Sequence, residues 1–305
     1  MHFSDIVRQT PSSIRWVPLA AEWAALVALV WVADQQGRRK PFEHNIELWL
    51  HDPSLQYPMV VDETVPGTLN DYLTFYFPAL FITFVSIAKL SVRDVHHGLL
   101  SFLSGYYVVL LFTNFGKNRV GRIRPDFMDR CKYDLINQVC TGDPGVIEEG
   151  RRSFPSGHSS SAFFGCVYLF MFLAGKLRTF VLDEYSDYSF RSLSVWNVNI
   201  SSMRLIRFCI TISPLFLSTY VAISRWEDHW HHPTDIIAGS LIGILGGVIT
   251  YIIWWPNPFD SKAYDRMGSA RNIFEVTDPA FETYESLGTN EDLESGTGQE
   301  PNNIV

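Results

Sequence analysis

Ser224-Arg225-Trp226-Glu227-Asp228-His229-Trp230-His231-His232-Pro233-Thr234-Asp235 runs directly into an apolar stretch, Ile236 to Trp255. One arginine, three histidines and three carboxylates thus stand at the mouth of a segment long enough to cross a bilayer. Ionisable groups are expensive to keep there, so function is the default expectation. Pro233 suits the first turn of a helix, where a missing N–H costs nothing. His231 and Asp235, four residues apart, then share a face. A carboxylate so placed can hold one ring N–H of the histidine and leave the other nitrogen pointing outward as base or nucleophile. Two further readings stay open on this stretch alone. One is a polar cap at the membrane interface. The other is a metal site made from Asp228, His229, His231, His232 and Asp235, although their crowding before a proline follows no familiar zinc spacing.

Outward from that stretch, the chain reads as a membrane protein. Apolar residues make up 47% of its 305 positions against 18% charged, with nine Trp and 22 Phe. Six apolar runs approach the length of about 20 residues that a bilayer requires of a helix: Val17 to Ala33, Leu69 to Leu90, Gly98 to Phe115, Ser160 to Ala174, Phe208 to Ile223, and Ile236 to Trp255. The expected architecture is an all-α integral membrane bundle of six transmembrane helices over residues 1–259, followed by an acidic, disordered tail over 260–305. The first run reads as a retained anchor, because bulky Trp31 stands where a leader would be cleaved. Asn70, Asp71 and Pro78 predict a kink in the second. In the sixth, Gly239 and Gly243 suit a close helix contact. A short interfacial helix is expected near Phe42 to Leu50.

Six spans place both termini on one side, and the loops after the first, third and fifth spans on the other. The loop from Lys117 to Ser159 then meets the turn from Arg225 to Asp235, and the active site is expected there. Eight acidic residues and no basic ones follow Asn272, which accounts for the whole formal charge of -8 and argues against a nucleic-acid partner. Lys and Arg divide twelve and twelve between the two sides; with Lys117, Arg124 and Arg225 set aside, the termini's side leads twelve to nine and is expected to be cytosolic. Cys166 and Cys209 lie in apolar runs. Cys131 and Cys140 lie in a polar loop, where a disulfide is left open.

Two more polar stretches fall in the facing loop. Lys117-Asn118-Arg119-Val120-Gly121-Arg122-Ile123-Arg124-Pro125 sets Lys117 and Arg124 seven apart, on one face if the helix continues to Pro125. Two fixed cations suit a multiply charged anion, and an arginine fork matches phosphate oxygens. A basic flank attracted to lipid headgroups is the plainer reading. In Phe154-Pro155-Ser156-Gly157-His158-Ser159-Ser160-Ser161, Ser156 can cap a helix, Gly157 admits a ligand close to the backbone, and His158 can pass a proton to a leaving oxygen. A serine-rich cap with an incidental histidine is the alternative.

Taken together, these motifs resemble the type 2 phosphatidic acid phosphatases, or lipid phosphate phosphatases. Their signature is Lys, six residues, Arg-Pro; then Pro-Ser-Gly-His; then Ser-Arg, five residues, His, three residues, Asp. Lys117 to Arg124-Pro125, Pro155-Ser156-Gly157-His158 and Ser224-Arg225 to His231 and Asp235 match it without departure. The layout, with Pro256-Asn257-Pro258-Phe259 after the last run, looks most like the fungal diacylglycerol pyrophosphate and phosphatidate phosphatases. The resemblance implies His231 as nucleophile, Asp235 as its orienting carboxylate and His158 as acid. It implies a phosphate cradle of Lys117, Arg124, Ser156, Gly157 and Arg225, with no Mg²⁺ or other cofactor. Membrane lipid phosphates are the implied substrates, namely phosphatidic acid, its lyso form and diacylglycerol pyrophosphate, with sphingoid and isoprenoid phosphates as the alternative; protein partners are left open. His229 and His232 stand near the nucleophile but off the signature, while His96 and His97 are expected at the opposite interface. Arg151 and Arg152 are candidates for a second phosphate, and Arg119 and Arg122 for lipid headgroups. A lipid phosphotransferase, an inactive membrane scaffold and a vanadate-binding haloperoxidase are the rivals.

Overall fold

The computed structural model of the chain describes residues 16–88, 92–180 and 203–259. The expected acidic tail over residues 260–305 lies outside them. Six long helices appear: α1 (Trp16–Gly37), α2 (Gly67–Ala88), α3 (Val92–Val120), α6 (Gly157–Leu177), α7 (Arg204–Glu227) and α8 (Pro233–Trp254). Between α3 and α6 lie two short helices, α4 (Phe127–Cys131) and α5 (Pro144–Glu149), and a two-stranded ribbon of β1 (Tyr133–Asp134) and β2 (Val139–Cys140). Among the described residues, five helices are long and apolar enough to cross a membrane, namely α2, α3, α6, α7 and α8. The sixth expected span, α1, is not among them. Glu22 and the polar Asp34-Gln35-Gln36 end dilute the apolar character of α1, although it forms a helix of 22 residues as the sequence predicts.

α6 is the axis of the bundle. Most of its residues are buried and none is fully exposed, and α8, α7, α3 and the first turns of α2 pack around it. The seam with α8 is built on glycine. A side chain at Gly243 would meet the Phe164 nitrogen at 2.8 Å, and one at Gly247 would meet the Phe164 carbonyl at 3.2 Å. Backbones can approach that closely only where there is no side chain to hold them apart. The expected Gly239 and Gly243 contact is therefore present and runs one turn further. α2 contains a π-helical stretch at Tyr72–Tyr76, immediately before Pro78. Pro78 has no N–H for the Thr74 carbonyl, and that carbonyl instead lies against α6 at Gly165.

Between the helices, Phe102, Phe164, Tyr168, Phe172, Tyr251 and Trp255 form an aromatic core. Tyr168 gives it a polar centre, accepting from Trp255 Nε1 at 2.9 Å and pairing with Ser101. Leu80, Phe84, Phe112, Phe216 and Leu245 point outward with large apolar exposure, as residues on lipid-facing surfaces do.

At one end of the bundle sits a small polar cap. Leu55, Ile123, Phe127 and Cys131 form its own core, with Ile46, Met128 and Ile147 packed against it. Cys131 and Cys140 are joined in a disulfide, with Cα atoms 4.7 Å apart. The interfacial helix expected near Phe42 is a single 3₁₀ turn at Ile46–Trp49, capped by Asn45.

Candidate active site

Gly121 ends α3. Its φ of +61° lies in the left-handed region, and any side chain there would strike the Phe42 carbonyl. The helix therefore stops at Val120, four residues before Arg124, and the two cations do not share one helix as their spacing predicts. They still converge. Lys117, in the last turn, puts Nζ 3.1 Å from where a Cβ would stand on Gly157. Arg124 is only 2% exposed and leaves from extended chain, held by its N–H on Gly150 O at 2.9 Å. Its Nη2 pairs with Glu149 Oε1 at 2.5 Å, and its guanidinium lies 4.6 Å from the Trp230 ring centre. Nε and Nη1 of Arg124 are buried with no hydrogen-bond partner. Burial works against the charge on Glu149, but Arg124, Lys117, Arg152 and Arg130 outweigh it and hold that carboxyl below its ordinary range.

α6 opens at Gly157, with Ser156 as N-cap accepting from Ser159 N–H at 3.4 Å. Ser156 N–H in turn donates to the Asp235 carbonyl at 3.0 Å, which ties the second motif to the third. The first N–H groups of a helix have no partner inside it and can serve an anion. His158, on that turn, has a buried Nε2 without a hydrogen-bond partner.

Arg225 in the last turn of α7 is fully buried and fully engaged. Nη1 meets Glu63 Oε2 at 2.5 Å, Nη2 meets Asp228 Oδ2 at 2.9 Å, and Nε and Nη2 each reach Ser224 Oγ at 3.2 Å. Asp228 also accepts from Thr64 N–H at 2.9 Å and Thr64 Oγ1 at 2.7 Å, which fastens the loop before α2 to this turn.

His231 is 1% exposed, and its Nδ1–H donates to the Ser153 carbonyl at 2.7 Å. Nε2 is thereby left with its lone pair. The bond expected from Asp235 is not made, for its Oδ2 lies 4.0 Å from Nδ1. Asp235 instead closes the N-terminus of α8, accepting from His232 N–H at 3.0 Å and from Ser153 Oγ at 2.6 Å, while Arg122 Nη1 meets its other oxygen at 2.6 Å. Asp235 thus holds Ser153, and Ser153 holds the histidine. Burial, then the charges of Arg124, Lys117 and His158, push the His231 imidazole well below its usual range, against the pull of the Ser153 carbonyl. It is neutral wherever an ordinary histidine begins to charge.

The signature residues are therefore brought around one buried point; Arg122, expected at lipid headgroups, turns to Asp235 instead, and four neighbours that the sequence gives no role join them: Glu63, Glu149, Ser153 and Trp230. Only Trp230 had a local signal, standing beside His231; the others are set by contacts far apart in the chain. The off-signature candidates have other partners. His232 Nε2 donates to Ile123 O at 3.1 Å, and His229 stacks on Tyr57 at 4.2 Å. Both border a cleft of about 430 Å³ that reaches His231. Arg151 and Arg152, expected at a second phosphate, donate to the carbonyls of His44, Gly37 and Arg39. Arg119 lies over Phe115 at 5.7 Å. His96 and His97 lie at the other end of α3, against Trp23 and Trp254. Among the described residues, no group of three or more His, Cys, Asp or Glu is arranged to hold a metal ion.

Residues 98–259, which span all three motifs, match the profile of the PAP2 superfamily. The chain is 31% identical to lipid phosphate phosphatase 2 of Arabidopsis thaliana, over 80% of this chain and 79% of that protein. It is 29% identical to diacylglycerol pyrophosphate phosphatase 1 of Saccharomyces cerevisiae, over 68% of this chain and 69% of that protein. The plant protein is at least as similar as the yeast one, so the expected likeness to the fungal group in particular is not singled out. No solved structure matches the chain.

Proposed function

The chain belongs to the PAP2 superfamily, and from that premise we propose that it is a Mg²⁺-independent lipid phosphate phosphatase acting through a phosphohistidine. The observation that carries this is the pair of open donors on Arg124, buried beside Lys117 and two histidines. Buried guanidinium nitrogens without partners are costly unless a ligand completes them.

His231 Nε2 attacks phosphorus in line, forming the N–P bond as the bond to the lipid oxygen breaks. His158 protonates that departing oxygen, then takes a proton from the water that hydrolyses the intermediate. Lys117, Arg124 and Arg225, with the N–H groups of Gly157 and His158 in the first turn of α6, stabilise the charge gathering on the equatorial oxygens, Ser156 serving as the cap since its own N–H is held by Asp235. These fixed cations do the neutralising for which other phosphatases recruit Mg²⁺. Asp235 acts through Ser153, keeping Nδ1–H of His231 engaged and Nε2 free.

The site sits where the helices meet the polar cap, which suits a phosphate whose acyl tails stay in the bilayer. Phosphatidic acid, its lyso form and diacylglycerol pyrophosphate all have that shape. We take α1 as a sixth span, which puts both termini on one side and the loops after α3 and α7 on the other. The Cys131–Cys140 disulfide supports a luminal or extracellular setting for the site.

Phosphate release by the purified protein, measured with EDTA throughout over a panel of lipid phosphates and diphosphates, tests the reading. Wild-type protein is expected to turn over the diacyl substrates, and His231→Ala to lose at least about 10³-fold while still folding in detergent. Activity that vanishes in EDTA, or survives in His231→Ala, overturns the mechanism.

A further inference from the structure

His158 is asked to carry a proton, yet its surroundings are mostly cationic. Burial first, then the charges of Arg225 on α7, Lys117 on α3 and Arg124 in the loop after α3, push its imidazole down to about 3 against a backbone bond at Val65, and the His231 ring lies beside it from the turn before α8. One group of opposite sign faces it. Glu63, in the loop before α2, puts Oε2 3.9 Å from His158 Nε2, and that Nε2 has no hydrogen-bond partner. No motif contains Glu63, and nothing in the sequence separates it from neighbouring Asp62.

Its position is nevertheless built. Thr64 is fixed to Asp228 through both N–H and hydroxyl, and Trp230 Nε1 donates to Val60 O at 3.2 Å. Val65 is buried with Ala162 and Val221. The loop is thus clamped on both sides of Glu63, and the same Oε2 bridges Arg225 and faces His158. A carboxylate within about 4 Å of an imidazole favours its charged form.

We propose that Glu63 is a positioning residue for the acid: once substrate phosphate draws Arg225 away from it, its carboxylate is the counter-charge that lets His158 take up a proton beside Lys117 and Arg124. This rests on the phosphatase reading. When the substrate phosphate takes the Arg225 fork, the same carboxylate oxygen is released toward His158. The imidazolium then gives its Nε2 proton to the leaving lipid oxygen.

The discriminating variant is Glu63→Gln, which keeps an acceptor for Arg225 and removes the charge. It is compared with Glu63→Asp in the purified full chain, on phosphatidic acid in mixed micelles and on p-nitrophenyl phosphate. The phenolate of the latter leaves without needing a proton. Glu63→Gln is expected to lose at least about tenfold more on phosphatidic acid than on the aryl phosphate. The alkaline limb of kcat on phosphatidic acid is expected to move about one unit or more to lower pH, because the acid in the substrate complex lets go of its proton sooner. Glu63→Asp is expected to move that limb back toward wild type.

Equal loss on both substrates, or an alkaline limb that stays in place, would make Glu63 only a brace for Arg225 and overturns the proposal. A lower KM with a higher kcat overturns it too, since Glu63 would then merely compete with phosphate. If wild-type protein releases phosphate from neither substrate, the phosphatase reading fails first and this inference falls with it.

Discussion

Arg225 and Arg124 belong to the same signature and are both buried, yet they are held in opposite ways. Arg225 spends its donors on Glu63, Asp228 and Ser224, and through Asp228 it shares in fastening the loop before α2. Arg124 has one carboxylate, Glu149, and the face of Trp230, and keeps Nε and Nη1 open. They also attend different histidines. The cation felt most by His158 is Arg225, whereas for His231 it is Arg124. One arginine is part of the fold as well as of the cradle, while the other is kept for the ligand.

The largest effect is therefore expected at Arg225. Arg225→Ala strands Asp228 and Glu63 in a buried corner, at a cost of about 3–5 kcal/mol in stability, and phosphate release is lost with it. Thermal unfolding in detergent checks this, and an unmoved midpoint would erase the contrast between the two arginines. Arg124→Gln is expected to cut activity by about 10²–10³-fold while moving stability by no more than about 1 kcal/mol. It also has a pH signature. Arg124 helps keep His231 unprotonated, so removing its charge raises that pKa, and the acid limb of kcat/KM moves to higher pH. Arg225 is not among the charges that set His231, so a variant there leaves the limb in place. An acid limb that moves for Arg225→Lys and not for Arg124→Gln would reverse the assignment of arginines to histidines.

The same contrast marks how far the sequence could be read. Among the described residues, an apolar run marks every long helix, because hydrophobic length is a local property. The apolar run Gly98 to Phe115 falls short of α3, which starts at Val92 and carries in its first turn Asp94, buried and paired with Lys176 of α6. The signature residues were legible as a set. Their partners were not, since Glu63 lies 162 positions from Arg225 and Ser153 lies 78 from His231. The placement of Arg124 turns on Gly121, a left-handed position that packs without a side chain against the distant Phe42 carbonyl, a contact invisible between Lys117 and Pro125. The link from Asp235 to His231 was misread for a related reason. Helical spacing brings two side chains to one face, but the N-terminal cap at His232 claims the carboxylate first.

The smallest expected effect is at the tie between the two halves of the site. Arg122 leaves the same loop as Arg124 and reaches across to Asp235, 2.6 Å away, on the turn that follows Arg225. Its side chain is 37% exposed where that of Asp235 is 0%, so the pair carries little stability of its own. What it carries is direction. With Arg122 in place, one Asp235 oxygen is occupied and the other is left to Ser153 and His232; without it, the carboxylate can turn and loosen the Ser153 carbonyl on which His231 depends. Arg122→Gln is accordingly expected to lower kcat about tenfold with KM within about twofold, since a small misplacement of a nucleophile slows chemistry without weakening binding. Arg122→Lys, which keeps a charge near Asp235, is expected to recover part of the loss. A raised KM with kcat intact would instead return Arg122 to the role its sequence suggested, a contact for lipid headgroups, and would leave the two arginine halves of the site mechanically independent.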